Sequence, residues 1–153
     1  MRSPFKRRAG LALASAVSLL ALVGCGADDG EPQQRPEDLW GRWFISTAVT
    51  EDGEPRPLVP DTRIRVIFEE RDDRGVVQWR AGCNFFGADL EVMAGSLSVG
   101  EIGSTEMACR DDLQEQDDWL ADFFDSDPRW RLSDDRLMLT SDEAVVELEA
   151  SRD

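Results

Sequence analysis

Short runs in which apolar and polar residues alternate fill the sequence between residues 40 and 148, each run closed by Gly, Pro, Asp or Asn. Successive side chains of a strand point to opposite faces, so a period of two marks strands with one buried and one wet face. Arg63-Ile-Arg-Val-Ile-Phe-Glu69 is the clearest, with Ile64, Val66 and Phe68 sharing a face. A first strand over Trp40 to Thr50 precedes it, followed by a proline-rich excursion (Pro55, Pro57, Pro60). A turn over 70–75 leads to a return strand from Val76 to Arg80, and Asp89 to Met93 and Ser96 to Gly100 form a hairpin across Ala94-Gly95. Trp130 to Leu132, Leu137 to Thr140 and Val145 to Leu148 add three strands around turns at Ser133 and Ser141.

One segment breaks this period. From Asp111 or Asp112 to Phe124 the apolar residues are Leu113, Trp119, Leu120, Phe123 and Phe124, while Asp112, Glu115, Asp118 and Asp122 fall on the other side. That spacing predicts an amphipathic helix of about 12 to 14 residues with an Asp N-cap and acids near its positive end. Asp127-Pro128 stops it. Seven or eight strands and one helix predict a mainly β fold with a minor α part. The expected architecture is a small antiparallel sheet or open β-barrel with one packing helix, spanning residues 39–150.

Ahead of that domain the chain has a different character. Arg2, Lys6, Arg7 and Arg8 precede the apolar run 10–23, which is interrupted only by Ser15 and Ser18. A charged stretch followed by an apolar run shorter than the ~20 residues of a membrane span reads as a signal peptide over 1–24. The Arg7-Arg8 pair fits an ordinary charged n-region better than a twin-arginine signal. The run ends in Leu22-Val23-Gly24-Cys25, which resembles a bacterial lipobox. The resemblance implies cleavage before Cys25 and acylation of Cys25 with diacylglyceryl and usually palmitate-type chains. Two or more acyl chains anchor a protein stably. The expected protein is therefore exported and lipid-anchored to the bacterial cell membrane, on its outer or periplasmic side. Its partners are membrane lipid through Cys25 and an envelope protein. Residues 25–38 carry no large apolar side chain and read as anchor and flexible tether, with a reach on the order of 20 Å.

Composition narrows the chemistry. There is no histidine, and the single lysine, Lys6, lies in the leader. Ser-His-Asp, Cys-His and His-ligated metal mechanisms are excluded, as are P-loop and Schiff-base lysines beyond the leader. The net charge is −15, and because four of the 17 basic residues and none of the 32 acidic ones precede Cys25, the remainder carries −19. A phosphate backbone attracts a basic face, so nucleic acid is not an expected partner.

With Cys25 assigned to lipid, Cys83 and Cys109 remain. An even pair in an exported domain is most simply a disulfide; free thiols and a two-cysteine metal site are the other readings. Closing a loop of about 27 residues is worth roughly 3 to 4 kcal/mol in the chain-entropy model.

Ala81-Gly82-Cys83-Asn84-Phe85-Phe86-Gly87 and Ile102-Gly-Ser-Thr105-Glu-Met107-Ala108-Cys109 resemble the signature of the META domain, the HslJ-like family of bacterial envelope proteins. Leu39-Trp40-Gly41-Arg42-Trp43 is similar to the family's opening strand, and Asp135-Arg-Leu137-Met-Leu139 to its closing one. The family usually has a basic residue before the Met, where this chain has Glu106. The resemblance implies a small, mostly antiparallel β domain, exported or lipid-anchored and linked to envelope stress and antibiotic tolerance. It implies no catalytic residues and no cofactor. Gly82 and Gly87 are expected to permit tight turns, Asn84 to bond its own backbone, and Met107 to fill the core.

The acidic runs at 69–73 and 111–112 lack the spacing of a Ca2+ cage and read as solvated turn and cap residues, so no metal is expected. Nothing in the sequence brings Glu69, Glu91 or Glu101 together as a carboxylate pair, and no enzymatic activity is expected. Trp40, Trp43, Trp79, Trp119 and Trp130 are expected in the core. The resulting reading is a non-enzymatic binding or stress-tolerance module; the alternative is a carrier holding an apolar ligand or lipid inside the barrel.

Overall fold

The computed structural model describes residues 34–151. The leader 1–24, Cys25 and the tether as far as residue 33 lie outside the described residues. The elements run in the order β1 (Arg42–Glu51), β2 (Glu54–Pro55), β3 (Arg65–Arg71), β4 (Arg74–Arg80), β5 (Phe86–Met93), β6 (Ser96–Val99), β7 (Gly103–Ser104), α1 (Asp111–Asp125), β8 (Arg129–Ser133), β9 (Arg136–Thr140) and β10 (Ala144–Ala150). Every predicted strand is present, and the fold is mainly β with one helix.

The strands pair antiparallel in the order β1-β3-β4-β5-β6-β8-β9-β10, and β10 returns to β1. The barrel is therefore closed with eight strands, where the sequence pattern suggested a small sheet or an open barrel. Closure rests on the register from Phe44↔Ala150 to Glu51↔Ala144, interrupted by a bulge between Ser46 and Ala48. These partners stand about a hundred residues apart, a pairing that local periodicity does not report. The thinnest seam is β6 to β8, joined at Ser96↔Arg129. The short strands β2 and β7 attach outside the ring, to β1 and β5.

Alternate residues fill the interior. Phe44, Val66, Phe68, Leu97, Leu139 and Val77 are fully buried, as is Leu39 ahead of the first strand. An eight-stranded barrel is just wide enough for side chains to meet across it. Phe44 and Phe68 meet edge to face at 5.9 Å. Helix α1 adds Leu120, Phe123 and Phe124 to the same core. Phe124 stacks on Trp79 at 4.2 Å, and Phe86 stacks on Trp79 at 5.6 Å.

The tightest turns suit their residues. The predicted 70–75 turn shrinks to Asp72-Asp73, because β3 and β4 stay paired out to Arg71↔Arg74. Both aspartates have positive φ (50° and 62°), the requirement of a two-residue hairpin, and Asp tolerates it better than most residues. The helix begins differently from the expectation. Its N-cap is Arg110, which makes no side-chain cap bond, and Asp111 and Asp112 sit in the first turn. Asp112 accepts from the Leu113 amide at 2.9 Å and from the Arg110 side chain, so it works two residues inside the cap position. The last tether residues also take part: 36–38 form a 3-10 turn, and the Gln34 side chain accepts from the Leu132 amide at 3.2 Å. Among the described residues no helix is long and apolar enough to cross a membrane.

Candidate functional site

The loop carrying Gly82, Cys83 and Asn84 joins β4 to β5, and the helix holds it through one buried acid. Asp117 is 0% exposed, on the face of α1 turned toward the loop. Its Oδ1 accepts the Gly82 amide at 2.8 Å, and its Oδ2 accepts the amides of Cys83 at 3.0 Å and Asn84 at 2.7 Å. Three backbone donors converging on one carboxylate satisfy a loop whose own chain forms no ladder there. A Cβ on Gly82 would lie 2.8 Å from the Leu113 carbonyl and 2.9 Å from Asp117, so Gly82 is there for close approach to the helix rather than for a turn. Gln116, also buried, donates to the Ala81 carbonyl at 2.8 Å and accepts from the Val59 amide at 2.6 Å. Both residues are polar positions on the buried stripe, which hydrophobic periodicity alone does not pick out.

Asn84 does not bond its own backbone. Its Oδ1 accepts the Met107 amide at 2.9 Å and the Thr105 hydroxyl at 3.0 Å, so it pins the segment before Cys109 to the loop. Cys83 and Cys109 form a disulfide with Cα atoms 6.1 Å apart. Gly87 lies in β5 between Gln78 and Gly103 with no turn about it, and Met107 is 45% exposed rather than core. The Gly-Cys-Asn and Thr-x-Met-Ala-Cys elements thus form one structural knot. Its output is the placement of Phe85. The Phe85 amide donates to the Thr105 hydroxyl and its carbonyl accepts the Thr105 amide, both at 3.0 Å.

Phe85 forms one wall of a cleft of about 590 Å3 on the outer face of β1, β3, β4 and β5. Two cross-strand rows build the floor: Trp43, Ile67, Gln78 and Gly87, then Ile45, Arg65 and Arg80. Trp43 (52% exposed) stands at one side and Phe85 (54%) at the other. The Arg80 guanidinium lies over the Phe85 ring, 4.7 Å from its centre. Gly87 leaves the floor open: a Cβ there meets only ordinary contacts, 3.6 Å from Gln78 and Val77. Trp79 and Trp130 are core, as expected, and Trp40 and Trp119 pack partly buried against it. Trp43 departs from the expectation because its strand position faces outward.

The remaining acids are dispersed. Glu69 lies in β3 and contacts Arg71, Glu91 lies in β5, and Glu101 follows β6. No three acid or cysteine side chains among the described residues gather as a metal site. Glu51 has a built environment on the helix side of the barrel. It accepts from the Trp119 indole at 2.7 Å and pairs with Arg56 at 2.5 Å, and Arg56 lies over the Trp119 ring at 4.4 Å. Burial raises the Glu51 carboxyl, but the Arg56 and Trp119 hydrogen bonds and the Arg56 charge outweigh it and hold it below its ordinary value. This trio ties the helix to the β1–β2 turn.

Residues 37–153 match the family model of the META domain. A solved structure of a protein from Burkholderia xenovorans, determined by NMR, is similar at 16% identity and TM-score 0.65, over 94% of this chain and 99% of that one. A second NMR structure is similar at 19% identity and TM-score 0.56, over 76% of this chain and 94% of that one. At these identities the likeness concerns the fold. A search of curated proteins finds no match.

Proposed function

Given that the chain belongs to the META domain family, we propose that it is a non-enzymatic binding module of the bacterial envelope, using the outer-face cleft and held at a membrane by acylated Cys25. One observation carries the binding reading: two exposed aromatic side chains, Trp43 and Phe85, flank an open apolar cleft on a barrel whose interior is already filled. Exposed apolar surface of this kind costs solubility and marks interaction sites. The filled interior favours this over a carrier with its ligand inside the barrel. The knot around Cys83 and Asn84 supports a role in presenting Phe85 rather than in chemistry. A contribution to stress tolerance belongs to the same proposal and rests on the family resemblance alone.

The test is site-specific photo-crosslinking on intact cells, with the probe at position 43 and, as control, at Met138, which is exposed on β9. A discrete adduct from position 43 and none from 138 supports the reading, whereas equal labelling from both overturns it. Mass analysis of membrane extract tests the anchor. A retained leader with Cys25 unmodified removes it.

A further inference from the structure

The lining of the outer-face cleft holds no acid, although the chain has 32 acidic residues against 17 basic ones. It holds two arginines. Arg65 and Arg80 face each other across β3 and β4 in direct register. Directly opposed side chains in an antiparallel pair sit about 5 Å apart at Cβ, and like charges there repel. Neither guanidinium has a carboxylate partner among the described residues; Arg80 has only the Phe85 ring. Among the described residues Arg42, Arg56 and Arg110 each pair with an acid, whereas Arg63, Arg74, Arg129 and Arg136, like Arg65 and Arg80, do not; what sets Arg65 and Arg80 apart is that they share the lining of an apolar cleft. A repulsive pair with no acid partner among the described residues, at the edge of an apolar cleft, is matched by a ligand that brings its own negative charge.

Resting on the binding reading above, we infer that the cleft binds a single-chain amphipathic carboxylate of the fatty-acid type. The head lies between Arg65 and Arg80, whose planar forks suit a carboxylate. The apolar body lies in the neighbouring row, over Ile67, Gln78 and the gap left by Gly87, between Trp43 and Phe85. The lining includes no helix N-terminus, the usual cradle of a phosphate, which favours a carboxylate head. An extended peptide is disfavoured because the strands under the cleft are paired on both sides: β1 between β10 and β3, and β5 between β4 and β7 at Phe86 and Gly87. Among the described residues, the four strands that line the cleft leave no backbone edge there for strand addition. The volume of about 590 Å3 falls in the range of small-molecule sites.

The experiment titrates sodium dodecanoate, below its micelle concentration, into the full chain and follows the Trp43 indole and Gly87 amide resonances. Saturable shifts at both are expected. Arg65→Gln with Arg80→Gln, both exposed positions, is expected to weaken binding about tenfold or more, as loss of charge-assisted hydrogen bonds does. Gly87→Val, whose Cβ meets only ordinary contacts, is expected to abolish the Trp43 shift by filling the floor, with the thermal melt showing that the barrel persists. Dodecyl maltoside, with the same chain and no charge, is expected to bind at least about tenfold more weakly. No shift at Trp43 and Gly87, an unchanged affinity in the double Gln variant, or equal binding of the neutral amphiphile overturns the inference. A discrete crosslink from position 43 alongside any of those results leaves the binding reading standing and removes only the carboxylate.

Discussion

Gly82 donates its amide to Asp117 at 2.8 Å, and the two approach so closely that a Cβ on Gly82 would stand 2.9 Å from the carboxylate oxygen. The contact is backbone against side chain, with the Leu113 carbonyl equally close on the helix. Gly82→Ala therefore pushes the loop off the helix and is expected to cost about 1–3 kcal/mol, the usual range for overpacking. Urea denaturation measures it; a loss below roughly 0.5 kcal/mol would show that the loop yields freely.

Asp117→Asn keeps the size of the side chain but replaces one acceptor oxygen with a donor facing backbone amides. At least one of the amides of Gly82, Cys83 and Asn84 then loses its partner in a buried setting. A loss on the order of 2–4 kcal/mol is expected. Hydrogen exchange provides the specific readout. Those three amides should lose protection more than the β9–β10 ladder does, and uniform loss across the barrel would argue against a local clasp.

Replacing Cys83 and Cys109 together by Ala opens a loop of about 27 residues and is expected to lower stability by roughly 3–4 kcal/mol. Because the same loop seats Phe85, its amide should also exchange faster. Thiol labelling of the native protein checks the premise: Cys83 and Cys109 that react without reductant contradict the bond.

The depressed Glu51 carboxyl has a defined pH signature. A carboxylate stabilised in the fold contributes stability above its unfolded pKa and loses it as pH falls through the lower folded value. Glu51→Gln is thus expected to be less stable than the parent at neutral pH, with the difference shrinking toward zero as acid protonates Glu51. The Glu51 side chain is 33% exposed, so solvent screening limits the neutral-pH difference to about 1 kcal/mol or less. Denaturation at a series of pH values reads this directly. A gap that widens in acid reverses the assignment.

Strand positions, the helix and its stop at Asp127-Pro128, and the pairing of Cys83 with Cys109 were all legible in the residue pattern, because periodicity, turn chemistry and cysteine number are local or countable properties. Gly82 was also legible as special, though for a different reason from the one its position suggested. Asp117 and Gln116 were not. They sit where an amphipathic pattern expects apolar residues, and only the arrival of the 81–84 loop supplies the partners that make their burial tolerable. Trp43 was misplaced for the complementary reason: aromatic identity argues for the core, but alternation from the buried Phe44 turns it outward.

The amino-acid order determined a β-rich domain with one helix and two cysteines set to join, since each of those follows from interactions between near neighbours or from residue type. Tertiary structure decided that β1 closes on β10, that Asp117 clasps the Cys83 loop, and that Trp43, Arg65, Arg80 and Phe85 share one cleft. The first depends on register between strands distant in the chain, where a shift of a single residue would send every side chain to the opposite face, and the other two on which helix, loop and strand residues the closed barrel brings together.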